Sequence, residues 1–213
     1  MFTFTSGTRR VLLLGSLALA AAAAGFWLAA GLERAPAEPP RISGTYLEGG
    51  RPMAAFELWD HQGAPFTPTR FRFQWTLVTF GFTYCPDVCP LTLSTLAEAV
   101  RQLEAATGEG VETVFITVDP ERDPPEQLRD YLPFFDPGII GVTGEMSEIR
   151  RLTGSLGIAH MRRDYNGGYT VDHSSAILLI NPEGQLQAVF TPPHSPATLA
   201  EDVAAVRDYW EHR

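Results

Sequence analysis

The stretch Gly81-Phe82-Thr83-Tyr84-Cys85-Pro86-Asp87-Val88-Cys89-Pro90 constrains this chain more than any other. It follows Trp75 to Phe80, apolar and β-branched in the manner of a buried strand. It precedes Leu91 to Leu103, where apolar residues recur at helical spacing. The stretch therefore reads as a strand-to-helix turn, and it carries both cysteines of the protein. With the helix starting inside it, Cys85 and Cys89 stand at i and i+4 on one face, about 5–6 Å apart at Cβ. Two such thiols can clamp a soft metal ion or close and open a disulfide. A helix N-terminus favours the thiolate in either case, through its free amides and dipole. Pro90 suits a first helical turn, where no intrahelical amide is lost. The competing reading, two buried core cysteines, leaves unexplained why both sit at one turn framed by Pro86 and Pro90.

Of the 213 residues, those left after the N-terminal segment suffice for one ordinary domain, and 45% apolar content allows a packed core. The formal charge of −9 argues against nucleic acid as a partner. Two cysteines in a chain of this length are no disulfide framework; they read as a working pair.

The N-terminus is organised as residues 1–32, a cytoplasmic stub and transmembrane anchor; 33–42, a Pro-rich linker; and 43–213, the functional domain. Val11 to Leu32 carries no charge and meets the roughly 20 apolar residues that a bilayer span needs. A cleaved signal, whose apolar region is shorter, is the alternative, and a buried soluble helix is the third reading. Arg9 and Arg10 precede the run, so the N-terminus stays cytoplasmic and the rest is exported, which in a bacterium means the periplasm. As a twin-arginine signal the two arginines are weak evidence. Outside the cytoplasm a dithiol tends to oxidise, so the pair needs a reductant before it binds Cu(I).

Along the domain, Gly44–Leu47 and Phe56–Trp59 read as strands, with turns at Gly49-Gly50 and His61–Gly63. Thr113–Val118 is a second buried strand, ending at Asp119. Pro125–Phe135 reads as a helix, Ile139–Val142 as a third strand, and Ser147–Leu156 as a helix capped by Ser147. Asn166-Gly167-Gly168 marks one hairpin and Asn181–Gly184 a second, between Ala176–Ile180 and Gln185–Phe190. Ala197–Tyr209 closes the chain as an amphipathic helix. This order is α/β and thioredoxin-like, and in open α/β sheets function gathers at the carboxyl ends of strands, where Cys85 and Asp119 fall. Cu(II) asks for nitrogen beside the two sulfurs. His173 precedes a strand, but nothing in the spacing singles it out from His61 in a turn, His160 at an edge, His194 in a rigid proline loop or the terminal His212.

Thr83-Tyr84-Cys85-Pro86-Asp87-Val88-Cys89-Pro90, Asp119-Pro120-Glu121-Arg122-Asp123 and Val171-Asp172-His173-Ser174 together resemble the three signatures of the Sco/SenC family, in the same order and behind an N-terminal anchor. The resemblance covers Ser43 to Trp210. It implies a thioredoxin fold that binds copper, Cu(I) and Cu(II), through Cys85, Cys89 and His173. It also implies a role in maturing the CuA centre of cytochrome c oxidase, with subunit II as partner and another copper carrier and a thiol reductant upstream. Binding would release thiol protons, so affinity should rise with pH until the thiols are ionised. Asp172 is a poor orienter of His173, since neighbours on an extended chain face opposite ways. Asp119 reads as a strand terminator and Asp123 as the cap of the next helix. The alternative function is enzymatic: a membrane-tethered thiol–disulfide oxidoreductase in which Cys85 and Cys89 form the redox-active disulfide. Against a general reductase, Ser174-Ser175 stand where thioredoxins place a proline. A peroxidase reading lacks a second resolving cysteine, and a purely structural tethered domain ranks last.

Overall fold

The computed structural model describes residues 38–212, together with 15, 19–25 and 27. Within 38–212 the elements run β1 (Thr45–Pro52), β2 (Leu58–Asp60), β3 (Pro65–Phe66), β4 (Thr76–Gly81), α1 (Val88–Thr107), β5 (Glu112–Thr117), α2 (Pro125–Tyr131), β6 (Ile140–Thr143), α3 (Met146–Leu156), β7 (His160–Tyr165), β8 (Gly168–His173), β9 (Ile177–Ile180), β10 (Gln185–Phe190) and α4 (Pro196–His212). Eight strands form one sheet in the order β1-β10-β9-β4-β5-β6-β2-β3, and β7 and β8 form a separate ribbon.

The strand before the cysteine turn lies inside this sheet. All six residues of β4 are buried, because β4 runs parallel to β5 and antiparallel to β9 and is covered on both faces. Alternation along the strand assigns the faces. Leu77 joins Leu96 and Leu103 of α1 and Val203 and Val206 of α4 in one apolar cluster. Val78 and Phe80 join Ile149 and Leu152 of α3 in another. The parallel succession β4, β5, β6 needs crossovers, which α1 and α2 supply. It also brings the ends of β4 and β5 side by side, Gly81 opposite Thr117.

Four local expectations are corrected. Gly49 and Gly50 do not turn between strands; both adopt positive φ inside β1, where the pairing with β10 slips between Tyr46 and Arg51. The helix expected from Ser147 begins one residue earlier, with Glu145 at the cap position. The expected helix at 125–135 ends at Tyr131 and tightens into a 3-10 turn. Asp123 does not cap α2, whose cap position is Pro124 with no side-chain bond. Its buried carboxylate instead accepts the Thr83 amide at 3.0 Å and hydroxyl at 2.6 Å, and the Thr117 hydroxyl at 2.6 Å. Burial pushes this acid's pKa up, against the pull of those donors. Among the described residues no helix is long and apolar enough to cross a membrane. The run expected to do so, 11–32, lies largely outside the described residues, as does the boundary drawn between 32 and 33.

Asp123→Ala would leave the hydroxyls of Thr83 and Thr117 without their acceptor. It should cost about 3 kcal/mol in urea unfolding of a fragment beginning at residue 39, with Asp123→Asn milder; wild-type stability in the alanine variant would show the bridge to be incidental.

Candidate metal centre

Cys85 and Cys89 meet by a route other than the expected helical face. The helix begins at Val88, so Cys85 lies in the turn ahead of it and Cys89 is its second residue. The turn is closed by the Cys85 amide donating to the Phe82 carbonyl at 3.1 Å. The amides of Asp87 and Cys89 then point at the Cys85 sulfur. The Cys89 sulfur lies against Gly81, where a Cβ would come within 2.7 Å of it. A glycine at the end of β4 is what makes room for the second thiol. Both cysteines are free and buried.

His173 comes from the opposite side, as the last residue of β8 rather than a residue of a loop. Its Nε2 lies 3.2 Å from the Cys89 sulfur, and its ring stands edge-on to Phe82. Nδ1 faces the Ser174 carbonyl at 2.9 Å. A carbonyl only accepts, so Nδ1 carries a proton, and Nε2 faces the sulfurs, donating to the thiolate when the ring is charged and offering its lone pair when it is neutral. The ligand atoms of Cys85, Cys89 and His173 all lie within 4.8 Å of one another, the one such His/Cys/Asp/Glu group among the described residues.

The segment after His173 is held from two sides. The Ser174 amide donates to the Ala159 carbonyl at 2.9 Å, and His194 Nε2 donates to the Ser175 carbonyl at 2.8 Å. These bonds stand where a thioredoxin would use its proline. The role of His194 was invisible in the sequence, because its acceptor is a backbone carbonyl 19 positions away. His61, read as a turn residue, accepts the Gly141 amide on Nδ1 at 2.8 Å. Asp172 faces away from the ring and pairs with Arg163.

Asp119 does follow the end of β5, as expected, but the second signature also holds the site. Buried Asp119 accepts the Tyr169 hydroxyl at 2.9 Å and pairs with Arg122. The Arg122 guanidinium lies 3.8 Å from the Tyr169 ring and 5.1 Å from that of Tyr84. Asp119 and Arg122 thus fasten β8 to the cysteine turn, while Asp123 fastens the turn to β5.

The two sulfurs are electrostatically unequal. The Cys89 thiol hydrogen-bonds to Cys85 and, with help from His173 and the two amides, outweighs burial and pulls the Cys85 pKa down to about 3. The same shared proton, together with burial, pushes Cys89 up. Burial works against a charged His173, but the Cys85 thiolate and the Ser174 carbonyl outweigh it and raise its pKa. Without metal, the site rests as a Cys85 thiolate beside a Cys89 thiol.

Iodoacetamide should therefore label Cys85 first, at a rate nearly constant from pH 5 to 8, where an ordinary thiol gains about tenfold per unit. Peptide mapping by mass spectrometry reads the site, and preferential labelling of Cys89 would contradict the assignment.

A family model for SCO1/SenC matches residues 45–208. The human mitochondrial SCO2 homolog is 37% identical over 201 residues, covering 93% of this chain and 74% of that protein. The copper-bound crystal structure of Arabidopsis thaliana ScoI superposes with a TM-score of 0.70 at 34% identity, covering 74% of this chain and 99% of that one. Copper-bound yeast Sco1 gives 0.67 at 30% identity, covering 72% and 87%. The chain belongs to the SCO1/SenC family and has its thioredoxin-like α/β fold.

Proposed function

We propose that this protein is a copper metallochaperone that holds the ion between Cys85, Cys89 and His173 and delivers it for maturation of the CuA centre of cytochrome c oxidase, with subunit II as acceptor. The observation that carries this reading is the convergence of two sulfurs and one imidazole within 4.8 Å. Two thiolates suit Cu(I), and the added nitrogen suits Cu(II). With Cu(II), two thiolates and a neutral ring leave the site without net charge. The copper-bound structures of the Arabidopsis and yeast relatives support copper as the cargo.

The chain's own residues set the terms of binding. Cys85 offers a thiolate at neutral pH, whereas Cys89 must lose its proton when metal enters. His173 must also be neutral to ligate, and its raised pKa adds a second proton to displace at lower pH. Apparent affinity therefore rises with pH, most steeply below the pKa of the ring.

The unequal thiols favour a second reading, thiol–disulfide exchange on an extracytoplasmic protein such as the oxidase subunit. The Cys85 thiolate would attack a target disulfide, forming a mixed disulfide and expelling one target thiolate. Cys89, losing its proton, would then attack Cys85, releasing the second thiolate and leaving a Cys85–Cys89 disulfide. A thiol reductant must then supply two electrons to reset the pair. Reduction of a target's copper-binding cysteines would precede their loading, so the two activities are compatible.

One variant separates them. His173→Ala should lose most of the Cu(II) visible absorption while retaining Cu(I), and turnover of a model disulfide should survive it. A wild-type Cu(II) spectrum in that variant would refute the three-ligand site, and no turnover in either protein would leave the copper role alone. The anchor proposed for 11–32 places the domain on the outer side of the inner membrane. The full-length mass should therefore stay with washed membranes; a released form cut near Ala30 would show a cleaved signal instead.

A further inference from the structure

Tyr131 ends α2, and its hydroxyl is buried with no hydrogen-bond partner among the described residues. A buried donor without an acceptor lowers stability, so its presence asks for a use. The position of the ring supplies one. Gln127 and Tyr131 stand at i and i+4, on one flank of α2. Gln127 Nε2 donates to the Thr83 hydroxyl at 3.3 Å, so this flank faces the cysteine turn. Long helical side chains lean toward the helix N-terminus, which carries the Tyr131 hydroxyl up toward the level of Thr83.

The ring packs against the cluster that holds Leu93 and Phe115, and both of these are neighbours of Cys89. Leu93 follows Cys89 by one turn of α1. Phe115 shares with the Cys89 sulfur the space left by Gly81, where a Cβ would meet Cys89 Sγ at 2.7 Å and Phe115 Cε2 at 2.9 Å. Burial, and then the negative charges of Cys89, Cys85 and Asp123, push the phenol's pKa up. The group therefore stays a hydroxyl, able to donate. Cys89 is the thiol that keeps its proton until metal enters. Before that step its sulfur is a weak acceptor; afterwards it is an anionic one, to which a hydrogen bond is charge-assisted.

We propose that Tyr131 is a positioning residue for the copper-loaded state, its hydroxyl turning onto the Cys89 sulfur once that sulfur has become a thiolate. The inference deepens the copper reading above and rests on it. The Cys89 proton leaves to water, one O–H···S bond forms, and no electron moves. A hydrogen bond to a metal-bound sulfur draws charge from it, and this tunes the copper couple. Here it favours Cu(I).

The test compares wild type with Tyr131→Phe, which removes the hydroxyl alone, in the full chain in detergent. Without metal, the variant should be at least as stable to urea as wild type, because the hydroxyl lacks a partner there. With metal, its Cu(I) affinity in competition with bicinchoninate should fall about tenfold, and its sulfur-to-Cu(II) charge-transfer band should move to lower energy. Equal affinity with an unmoved band overturns the proposal. So does a metal-free variant destabilised as much as its copper binding is weakened, which would make the role purely structural. In wild type carrying ¹³C-labelled tyrosine, the Tyr131 Cζ resonance should shift when Ag(I), a redox-inert stand-in for Cu(I), is bound; an unmoved resonance also overturns the bond. Failure of the copper reading itself would look different, as no Cu(I) uptake by the wild-type chain.

Discussion

The buried carboxylate of Asp123 is the interaction on which the rest of the site depends. A carboxylate taken out of water is tolerated only where donors meet it, and here three do, from Thr83 and Thr117. Thr83 stands two residues before Cys85, and Thr117 ends β5. The bonds therefore fix where the cysteine turn sits on the sheet, before any cysteine chemistry begins. Four residues earlier, Asp119 reaches the other way, to Tyr169 of β8, the strand that ends on His173. One short acidic segment thus positions both halves of a centre whose donors come from two separate places in the chain.

What that scaffold presents is a pair of sulfurs that differ in kind. Cys85 takes the amides of the helix start and carries negative charge, while Cys89, tucked against Gly81, keeps the proton. An equal pair would have either two charges in a buried place or none. The unequal pair keeps one nucleophile or ligand ready and holds the second in reserve. The same electrostatic arrangement suits both the metal capture and the disulfide exchange proposed above.

Much of this was legible in the sequence, for reasons that differ between elements. The central strands announced themselves because burial on both faces demands runs of apolar and β-branched residues without charge, as in β4 and β9. The cysteine pair was legible because both cysteines of the chain fall in one turn framed by Pro86 and Pro90. His173 was legible only through family resemblance, since its partners lie 84 residues away and local pattern carries no such information. Asp123 was misassigned for a related reason: an acid before Pro124-Pro125 has the local signature of a cap, while its real partners are brought in by strand pairing. The start of α1 at Val88 likewise changed how the thiols meet, from a shared helical face to the bend of a turn. The glycines of β1 misled because positive φ serves a bulge as well as a turn.

The ribbon β7–β8 is no part of the main sheet, and seven of its twelve strand residues are exposed, all of Met161 to Tyr165 among them. Its tip, Asn166-Gly167, can therefore lengthen, shorten or change charge without disturbing the apolar clusters that hold the fold together. Its inner half is what is tied down, by Tyr169 against Asp119 and Arg122, Val171 in the core and His173 at the sulfurs. Within one lineage, divergence along this finger is free to reshape which surface a client meets, while the grip on the cargo stays as it was.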